Sequence, residues 1–318
     1  MNNSINTTGV VYDKRYLNHR TGKHPECPER LTSIYEYLEE KGVVKETVRI
    51  EPYPAPVEFV EYIHNKEYIE SVKHRCAIGS VMLDMDTPLS RETYDVALLA
   101  VGGVLSAIDA IMNGTVRNGL CLVRPPGHHA MPDRGMGFCI FNNIAIGARY
   151  IQKKYKMKRV AIIDWDVHHG NGTQFVFYED PTVFYCSLHQ FPHYPGTGNI
   201  HEVGLHKGEG YTMNAPLGAG ADITVYRKVF EERFLPAIKR FNPEFILISS
   251  GFDAHRDDPL AGINLKSENY GLLTRMIVSL ARELCDSRLV SVLEGGYNLN
   301  ALKSSVYEHL CGLMKTVQ

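Results

Sequence analysis

The sequence lacks the features that mark secreted, membrane-spanning and nucleic-acid-binding proteins. Its net charge is −2 and it has no long run of Lys or Arg, which excludes a general electrostatic attraction to nucleic acid. Its first residues carry neither a basic stretch nor a long apolar stretch, so we expect no secretory signal. The most apolar long segment, Val96–Met112, contains Gly102, Gly103 and Asp109, and we predict that it is too short and too interrupted to span a bilayer. We therefore expect a cytoplasmic protein without direct contacts to nucleic acid or membrane.

Signs of a disulfide framework and of internal divisions are missing as well. The seven cysteines are an odd number at scattered positions with no CxxC pair, a pattern typical of reduced and mostly buried thiols. No repeat, low-complexity tract or linker rich in Pro, Gly and Ser interrupts the 318 residues, of which 44% are hydrophobic. A chain of this size can bury a sizeable core, and one domain over residues 1–318 is the simpler interpretation. The oligomeric state is left open, including a homo-oligomer.

Short apolar runs alternate with helical patterns along the chain, which is typical of a parallel sheet with helices on both faces. The predicted strands are Gly9–Tyr12, Val48–Glu51, Gly119–Val123, Arg159–Asp164, Thr182–Ser187, Tyr211–Asn214, Phe245–Ser249 and Leu289–Leu293. The predicted helices are Pro28–Lys41, Lys66–Ile78, Arg91–Met112, Asn142–Tyr155, Ile223–Phe241, Ser267–Leu284 and Ala301–Met314, with Ser90 and Ser267 as expected caps. The expected fold class is α/β, a single-domain open and mostly parallel sheet of about eight strands.

The stretch Val160–Thr173, VAIIDWDVHHGNGT, reads as a buried strand that stops among side chains able to bind a metal. Its apolar start predicts β-structure, and the polar residues and Gly-Asn-Gly turn that follow mark the carboxyl end of the strand. Open parallel sheets build their sites at that edge. Asp166 and His168 stand two apart, so in an extended chain both side chains leave the same face and could meet one cation. Taken alone, the triplet is equally compatible with a hydrogen-bonded polar knot.

A second strand end presents paired imidazoles. Arg124–Asn143, RPPGHHAMPDRGMGFCIFNN, follows the predicted strand at Gly119–Val123. Its two prolines stiffen the exit and Gly127 allows an unusual backbone conformation, which places His128 and His129 beyond the edge of the sheet. Adjacent histidines in a loop are usually a solvated pair. The apolar residues that follow them favour a pocket wall instead.

Two more strand ends add a carboxylate and a phenol. Ile248–Gly262, ISSGFDAHRDDPLAG, supplies Asp253, which completes a set of two Asp and one His. Three protein ligands with an open position are the pattern of a catalytic zinc site rather than a structural one. Leu293–Asn298, LEGGYN, ends in Tyr297 after two glycines, so the phenol could donate a hydrogen bond into the site or simply pack. We interpret His255, Asp257 and Asp258 as local turn and capping residues.

Nearly the whole chain resembles the zinc-dependent histone deacetylase family of the arginase/deacetylase superfamily. The motifs that carry the resemblance are HPECPERL (His24–Leu31), DTPLS (Asp86–Ser90), RPPGHHA, GFCIFNN, DWDVHHGNGTQ, SLH (Ser187–His189), PGTG, SGFDAHRDDPLAG and LEGGYN. DWDVHHGNGTQ and LEGGY are more similar to the class II-like and to the bacterial or archaeal deacetylase-like amidohydrolases than to class I. The resemblance implies hydrolysis of N-acetyl-lysine or other N-acyl-lysine side chains to acetate and free lysine.

The resemblance also implies roles for individual residues. Asp166, His168 and Asp253 would bind one Zn²⁺ ion. His128 and His129 would be the tandem catalytic histidines, supported by Asp164 and Asn171 respectively, and Tyr297 would polarise the substrate carbonyl. The acyl-lysine tunnel and its surroundings would be formed by Phe138, Gly137, Tyr194, Leu260, the rim residue Asp86 and Arg30, the last beside an internal product channel. Many relatives have Phe in place of Tyr194, so a slightly more polar wall is expected here.

Two sites for K⁺ are implied in the same way, largely through carbonyl oxygens, which suit a hard cation. The first would use Asp164, Asp166, His168, Ser187 and Leu188, and the second Phe177, Asp180, Val183 and Tyr211. The expected partner is an acetylated protein or a small-molecule amine substrate.

Three alternatives stay open on the sequence. Relatives that hydrolyse acetylpolyamines can carry an acidic residue in the loop of Asp258, Pro259 and Leu260, and the apolar Leu260 argues against that activity. An arginase-like site with two manganese ions wants carboxylates where this chain has Gly170 and His255. An inactive acyl-lysine-binding protein would be expected to lose a zinc ligand, a tandem histidine or Tyr297, and none of these is missing.

Overall fold

Eight short segments form the strands of the computed structural model, which describes residues 7–315. They are β1 (Thr8–Val11), β2 (Val48–Ile50), β3 (Asn118–Cys121), β4 (Val160–Asp164), β5 (Val183–Gln190), β6 (Thr212–Leu217), β7 (Phe245–Ser250) and β8 (Leu289–Leu293). All neighbouring strands are parallel, in the order β2-β1-β3-β8-β7-β4-β5-β6. The predicted α/β fold class with a parallel sheet is therefore confirmed, and the sheet is wholly parallel.

Ten α-helices surround this sheet in the described part of the chain. They are α1 (Glu29–Glu40), α2 (Val57–Val60), α3 (Lys66–Ala77), α4 (Thr93–Met112), α5 (Asn143–Tyr155), α6 (Asn171–Phe177), α7 (Ile223–Val229), α8 (Leu235–Phe241), α9 (Ser267–Cys285) and α10 (Leu299–Met314). Short 3₁₀ helices lie at Lys14–Asn18, Val43–Glu46 and His206–Gly208, and a π-helical turn at Phe230–Phe234 joins α7 to α8. The segment predicted as one helix over Ile223–Phe241 thus contains a π turn.

Neither Ser90 nor Ser267 is the N-cap of its helix, so both predicted caps were wrong. The residue before α4 is Glu92, and the Ser90 N–H donates to Thr93 Oγ1 at 2.7 Å instead. Ser267 is the first residue of α9, whose N-cap is Lys266.

Helix α4 is longer than the segment singled out in the sequence. Its 20 residues are long and apolar enough to cross a membrane, so the expectation that it is too short was wrong. In this fold 72% of its most apolar window is buried, because the helix packs inside the protein. Gly102 allows that packing, since a Cβ there would lie 1.5 Å from the Tyr53 carbonyl oxygen. The expectation about a secretory signal concerns the first residues, and residues 1–6 lie outside the described range.

The strand order positions the site. The chain runs from β3 through α5 to β4, and β7 and β8 later fill the two places between them. The side chains of β4, β7 and β8 are buried along their whole length because elements cover both faces of the sheet. The carboxyl ends of these central strands therefore meet at one edge, where open parallel sheets form their ligand crevices.

Candidate active site

Four loops converge at this edge. They are residues 124–142 after β3, 165–170 after β4, 251–266 after β7 and 294–298 after β8. Because β3, β8, β7 and β4 are neighbours in the sheet, residues that lie far apart in the sequence come into contact here.

Asp166, His168 and Asp253 form a buried group able to hold a metal ion, with ligand atoms all within 4.8 Å of one another. His168 Nδ1 lies 3.2 Å from Asp166 Oδ1 and 3.1 Å from Asp253 Oδ2. The two Asp residues are at most 1% exposed. Two carboxylates at so short a distance in the protein interior need a compensating cation, because burying unpaired charge is costly.

Glycines on the two flanking loops pack against these carboxylates. A Cβ at Gly251 or Gly295 would lie 2.1 Å from a carboxylate oxygen of Asp166 or Asp253, respectively. The Gly295 N–H donates to Asp166 Oδ2 at 2.7 Å, and the Val167 N–H donates to Asp253 Oδ1 at 2.9 Å. Main-chain N–H groups therefore fix both carboxylates, and Asp166 Oδ1, which also accepts from the His168 N–H at 2.9 Å, faces the His168 ring together with Asp253 Oδ2.

The tandem histidines have different partners. His128 Nδ1 lies 3.1 Å from Asp164 Oδ2, and His129 Nδ1 lies 2.8 Å from Asn171 Oδ1. The centroids of the two rings are 3.9 Å apart. Tyr185 also donates to Asp164 Oδ2, at 3.1 Å, so this carboxylate is held from two sides.

These partners separate the pKa values of the two imidazoles. Burial alone would lower the pKa of His128, but the carboxylates of Asp164, Asp166 and Glu294 outweigh it and raise the pKa to about 10. Burial lowers the pKa of His129 well below its usual value, and the neighbouring imidazoles lower it further. The nearby carboxylates therefore favour the charged form of His128, whereas burial favours the neutral form of His129.

A cavity of about 200 Å³ opens onto this group. Its lining residues are Asp86, His129, Gly137, Phe138, His168, His193, Tyr194, Leu260 and Tyr297. The rings of His129 and Tyr194 meet edge to face at 5.1 Å, as do those of Phe138 and Tyr297 at 5.6 Å. Gly137 has a φ of +57°, and a Cβ there would lie 2.5 Å from His129 Cδ2, so glycine keeps this wall close to the histidine.

Tyr297 lines the cavity, and its ring packs against the guanidinium of Arg30. The Arg30 guanidinium carbon lies 5.0 Å from the centroid of the Tyr297 ring. Arg30 is fully buried and donates to the carbonyl oxygens of Gly296 at 2.7 Å and Glu294 at 2.5 Å. Burial raises the pKa of the Tyr297 phenol well above 10, so the hydroxyl stays protonated.

Asp86 also lines the cavity, and one of its carboxylate oxygens is hydrogen-bonded within the protein. Its Oδ1 accepts hydrogen bonds from the Gly137 N–H at 3.1 Å and the Thr87 hydroxyl at 2.9 Å. The carboxylate thus braces the loop that carries Phe138 as well as lining the cavity.

The residues named for potassium lie at both ends of β5. Asp164 and Ser187 are partners in the β4–β5 register at the carboxyl edge, next to Leu188. The second set lies at the start of the strand, where Val183 is the first residue, the Asp180 N–H donates to the Phe177 carbonyl oxygen at 3.0 Å and the Tyr185 N–H donates to the Tyr211 carbonyl oxygen at 2.9 Å. The Asp180 carboxylate accepts from Arg149 Nη1 at 2.5 Å and from the Thr182 hydroxyl at 2.6 Å, so it is already paired within the protein.

Sequence reasoning gave no role to several residues that hold the site. Glu294 Oε2 accepts from the Gly127 and His128 N–H groups at 2.7 and 3.2 Å, directly behind the tandem histidines. Glu26 pairs with both Arg30 and Arg124 in the interior. Glu26 and Glu294 each stand inside a quoted motif. However, Glu26 and Arg124 are 98 residues apart in the sequence, and Glu294 and Gly127 are 167 residues apart, so no local pattern could reveal these contacts.

His255 and Asp258 were interpreted as turn residues. This is correct for His255, whose Nδ1 accepts from the Asp257 N–H at 3.1 Å. For Asp258 it is incomplete. Its carboxylate also reaches the main chain of Tyr297.

A family model described as the histone deacetylase domain matches residues 24–313. The chain belongs to the histone deacetylase family. This histone deacetylase family protein is 42% identical over 295 residues to a probable deacetylase of Archaeoglobus fulgidus, covering 92% of this chain and 82% of the relative. It is 37% identical over 293 residues to a histone deacetylase-like amidohydrolase of Pseudomonas aeruginosa, covering 91% and 75%. The crystal structure of the HDA15 HD domain superimposes with a TM-score of 0.92 at 36% identity, covering 97% of this chain and 89% of that one.

Membership in the histone deacetylase family confirms the predicted resemblance, including the likeness to bacterial and archaeal relatives. It makes the protein a hydrolase with deacetylase or amidohydrolase activity. Among the described residues, two groups could hold a metal ion: Asp166, His168 and Asp253, and His128, Cys139 and Glu294.

Proposed function

We propose that this family member hydrolyses the amide bond of N-acetyl-lysine or other N-acyl-lysine side chains, using one Zn²⁺ ion bound by Asp166, His168 and Asp253. The observation that carries the proposal is that His168 belongs both to the buried metal-competent group and to the wall of the aromatic cavity. A tunnel with apolar walls suits the methylene stem of a lysine. We also propose that residues 1–318 form one catalytic domain, and a cytoplasmic location remains a prediction.

The donor set fits zinc. Two carboxylates and one imidazole leave a fourth coordination position for a catalytic ion, whereas structural sites use four protein ligands. When bound, zinc would polarise the scissile carbonyl and acidify a water molecule towards a pKa of about 7. For the two further cation sites we propose K⁺, because main-chain oxygens such as those of Ser187 and Leu188 suit a hard ion.

The side chains around the ion would divide the proton transfers between them. His129, neutral beside Asn171, is positioned to accept the proton of the attacking water. His128, kept charged by Asp164, would stabilise negative charge and protonate the leaving amine. Tyr297 would donate a hydrogen bond to the carbonyl oxygen as charge develops on it.

Acetylpolyamine hydrolysis is the second candidate, and one observation favours it. Asp86 places a carboxylate on the cavity wall, where it could attract a cationic amine. Leu260 favours the acyl-lysine side chain, because it gives the wall an apolar side chain at the position where an acid would select polyamines. An acyl-lysine-binding protein without activity is the remaining alternative.

A substrate panel tests this assignment. We expect turnover of acetyl-lysine or longer acyl-lysine peptides by the zinc-loaded protein, with lower kcat/KM on a monoacetylated polyamine. Leu260→Glu should shift the preference towards the polyamine, with Leu260→Met as the matched control. Binding of the peptide without turnover would contradict the hydrolase proposal, and faster turnover of the polyamine by the unaltered protein would contradict the substrate class.

We expect Asn171, the hydrogen-bond partner of His129, to determine the pH at which kcat/KM falls on the acidic side. In Asn171→Asp, a carboxylate would replace the neutral amide and raise the pKa of His129. Because only the neutral imidazole accepts a proton, we expect the acidic limb of kcat/KM to move to higher pH. Asn171→Ala removes the partner without adding charge and should not move the limb upwards. An unchanged acidic limb in Asn171→Asp would count against His129 as the base.

A further inference from the structure

The carboxylate of Asp258 is shared between two loops of the cavity. Its Oδ2 accepts from the Tyr297 N–H at 2.7 Å and from the Asn298 N–H at 3.3 Å. Its Oδ1 accepts from the Leu260 N–H at 3.0 Å. Asp258 is 6% exposed, so these hydrogen bonds form away from bulk water. One buried side chain thus holds the main chain at both Leu260 and Tyr297, which line the same cavity.

Capping of helix α10 does not account for this arrangement. The side chain of Asn298 caps α10 by itself, because its Oδ1 accepts from the N–H groups of Asn300 and Ala301, each at 3.1 Å. Its Nδ2 donates to the Asp257 carbonyl oxygen at 2.9 Å. The shortest hydrogen bond of Asp258 goes instead to Tyr297, one residue before the cap.

The segment before Tyr297 needs such an anchor. Gly295 and Gly296 precede it, and Gly296 has a φ of +120°, a conformation open to glycine. On one side Arg30 holds the Gly296 carbonyl oxygen at 2.7 Å. On the other side Asp258 holds the Tyr297 N–H. Tyr297 is therefore fixed between a buried cation and a buried anion, which bind the C=O and the N–H of the same peptide group.

We propose that Asp258 is a positioning residue that sets the phenol of Tyr297 and the cavity wall at Leu260 as one unit. The inference rests on the proposed function, in which Tyr297 donates to the substrate carbonyl in the transition state. Misplacing such a donor by about 1 Å costs roughly 100-fold in rate. Loss of the anchor therefore lowers kcat through Tyr297, while the altered position of Leu260 changes KM by a smaller factor.

A double-mutant cycle on the zinc-loaded chain of residues 1–318 tests this role. Asp258→Asn keeps the shape but replaces one acceptor oxygen with a donor NH₂ group. We expect kcat on an acetyl-lysine peptide to fall about 10- to 100-fold, by analogy with other displaced catalytic groups. In a Tyr297→Phe background the same change should have little further effect on kcat. Asp257→Asn is the matched control, because that exposed carboxylate lies one residue away, and it should leave kcat and KM unchanged.

The possible outcomes separate this inference from the proposed function. Wild-type kcat in Asp258→Asn, or an equal loss in both backgrounds, would overturn the positioning role while leaving the hydrolase assignment intact. Normal turnover in Tyr297→Phe alone would remove Tyr297 from the mechanism and overturn the positioning role with it, whereas absence of turnover by the unaltered protein would overturn the proposed function. If Asp258→Asn does not fold, Asp258→Glu keeps the charge but moves the carboxylate by one methylene, and the same dependence on the Tyr297 hydroxyl is expected. Zinc content and circular dichroism identify correctly folded variants.

Discussion

Asp253→Ala is expected to abolish both zinc binding and turnover. The change removes one of the three proposed ligands and would leave Asp166 and His168 to hold the ion. The ion is expected to contribute several kcal/mol of transition-state stabilisation, so turnover should fall by about 10³-fold or more. Zinc content by elemental analysis and kcat/KM on an acetyl-lysine peptide check the two effects together.

The control for this prediction is a carboxylate four residues further along. Asp257 has a side chain that is 58% exposed and lies outside the metal-competent group, so Asp257→Ala should keep both zinc and activity. An Asp253→Ala protein that retains one zinc ion with its full affinity would show that the ion is held elsewhere.

Tyr297→Phe is expected to lower turnover by about 10²–10³-fold, the usual cost of one lost oxyanion donor. The ring contacts with Arg30 and Phe138 involve the aromatic face and edge, so phenylalanine preserves them. The loss should therefore appear in kcat, with stability and KM little changed. Because burial keeps the phenol protonated, the effect should persist across the pH range of activity.

Tyr194→Phe provides the comparison for Tyr297→Phe. Tyr194 lines the same cavity, but its proposed role is to form the wall rather than to donate to the reacting carbonyl. Removing the Tyr194 hydroxyl should therefore change turnover only slightly. Near-normal turnover in Tyr297→Phe would remove that residue from the mechanism, and an equal loss in Tyr194→Phe would show that the cavity responds to any lost hydroxyl.

The central strands were predictable from the sequence because β4, β7 and β8 are short, mostly apolar runs with Asp or Gly at or just after their carboxyl ends. The less regular elements were not. Helix α2 has four residues, too few for a helical period, and α6 begins at Asn171 inside a Gly-Asn-Gly sequence that reads as a turn. The π turn at Phe230–Phe234 does not break the apolar pattern of its helix, so the sequence gives no sign of it.

The site was predictable as far as its residues stand in motifs at strand ends. Asp166 and His168 could be paired from their spacing, and Asp253 could be added because it ends another strand. The grouping of His128 with Asp164 came from family resemblance. The anchors formed by Glu294 and Asp258 depend on contacts across 167 and 39 residues, which only the folded chain reveals.

Anomalous X-ray diffraction on both sides of the zinc absorption edge tests the central claim most directly. We predict one peak that vanishes below the edge, about 2.0–2.2 Å from ligand atoms of Asp166, His168 and Asp253, with its fourth position open to the cavity. A zinc-supplemented crystal without that peak, or with the ion enclosed by a fourth protein ligand, would contradict the account.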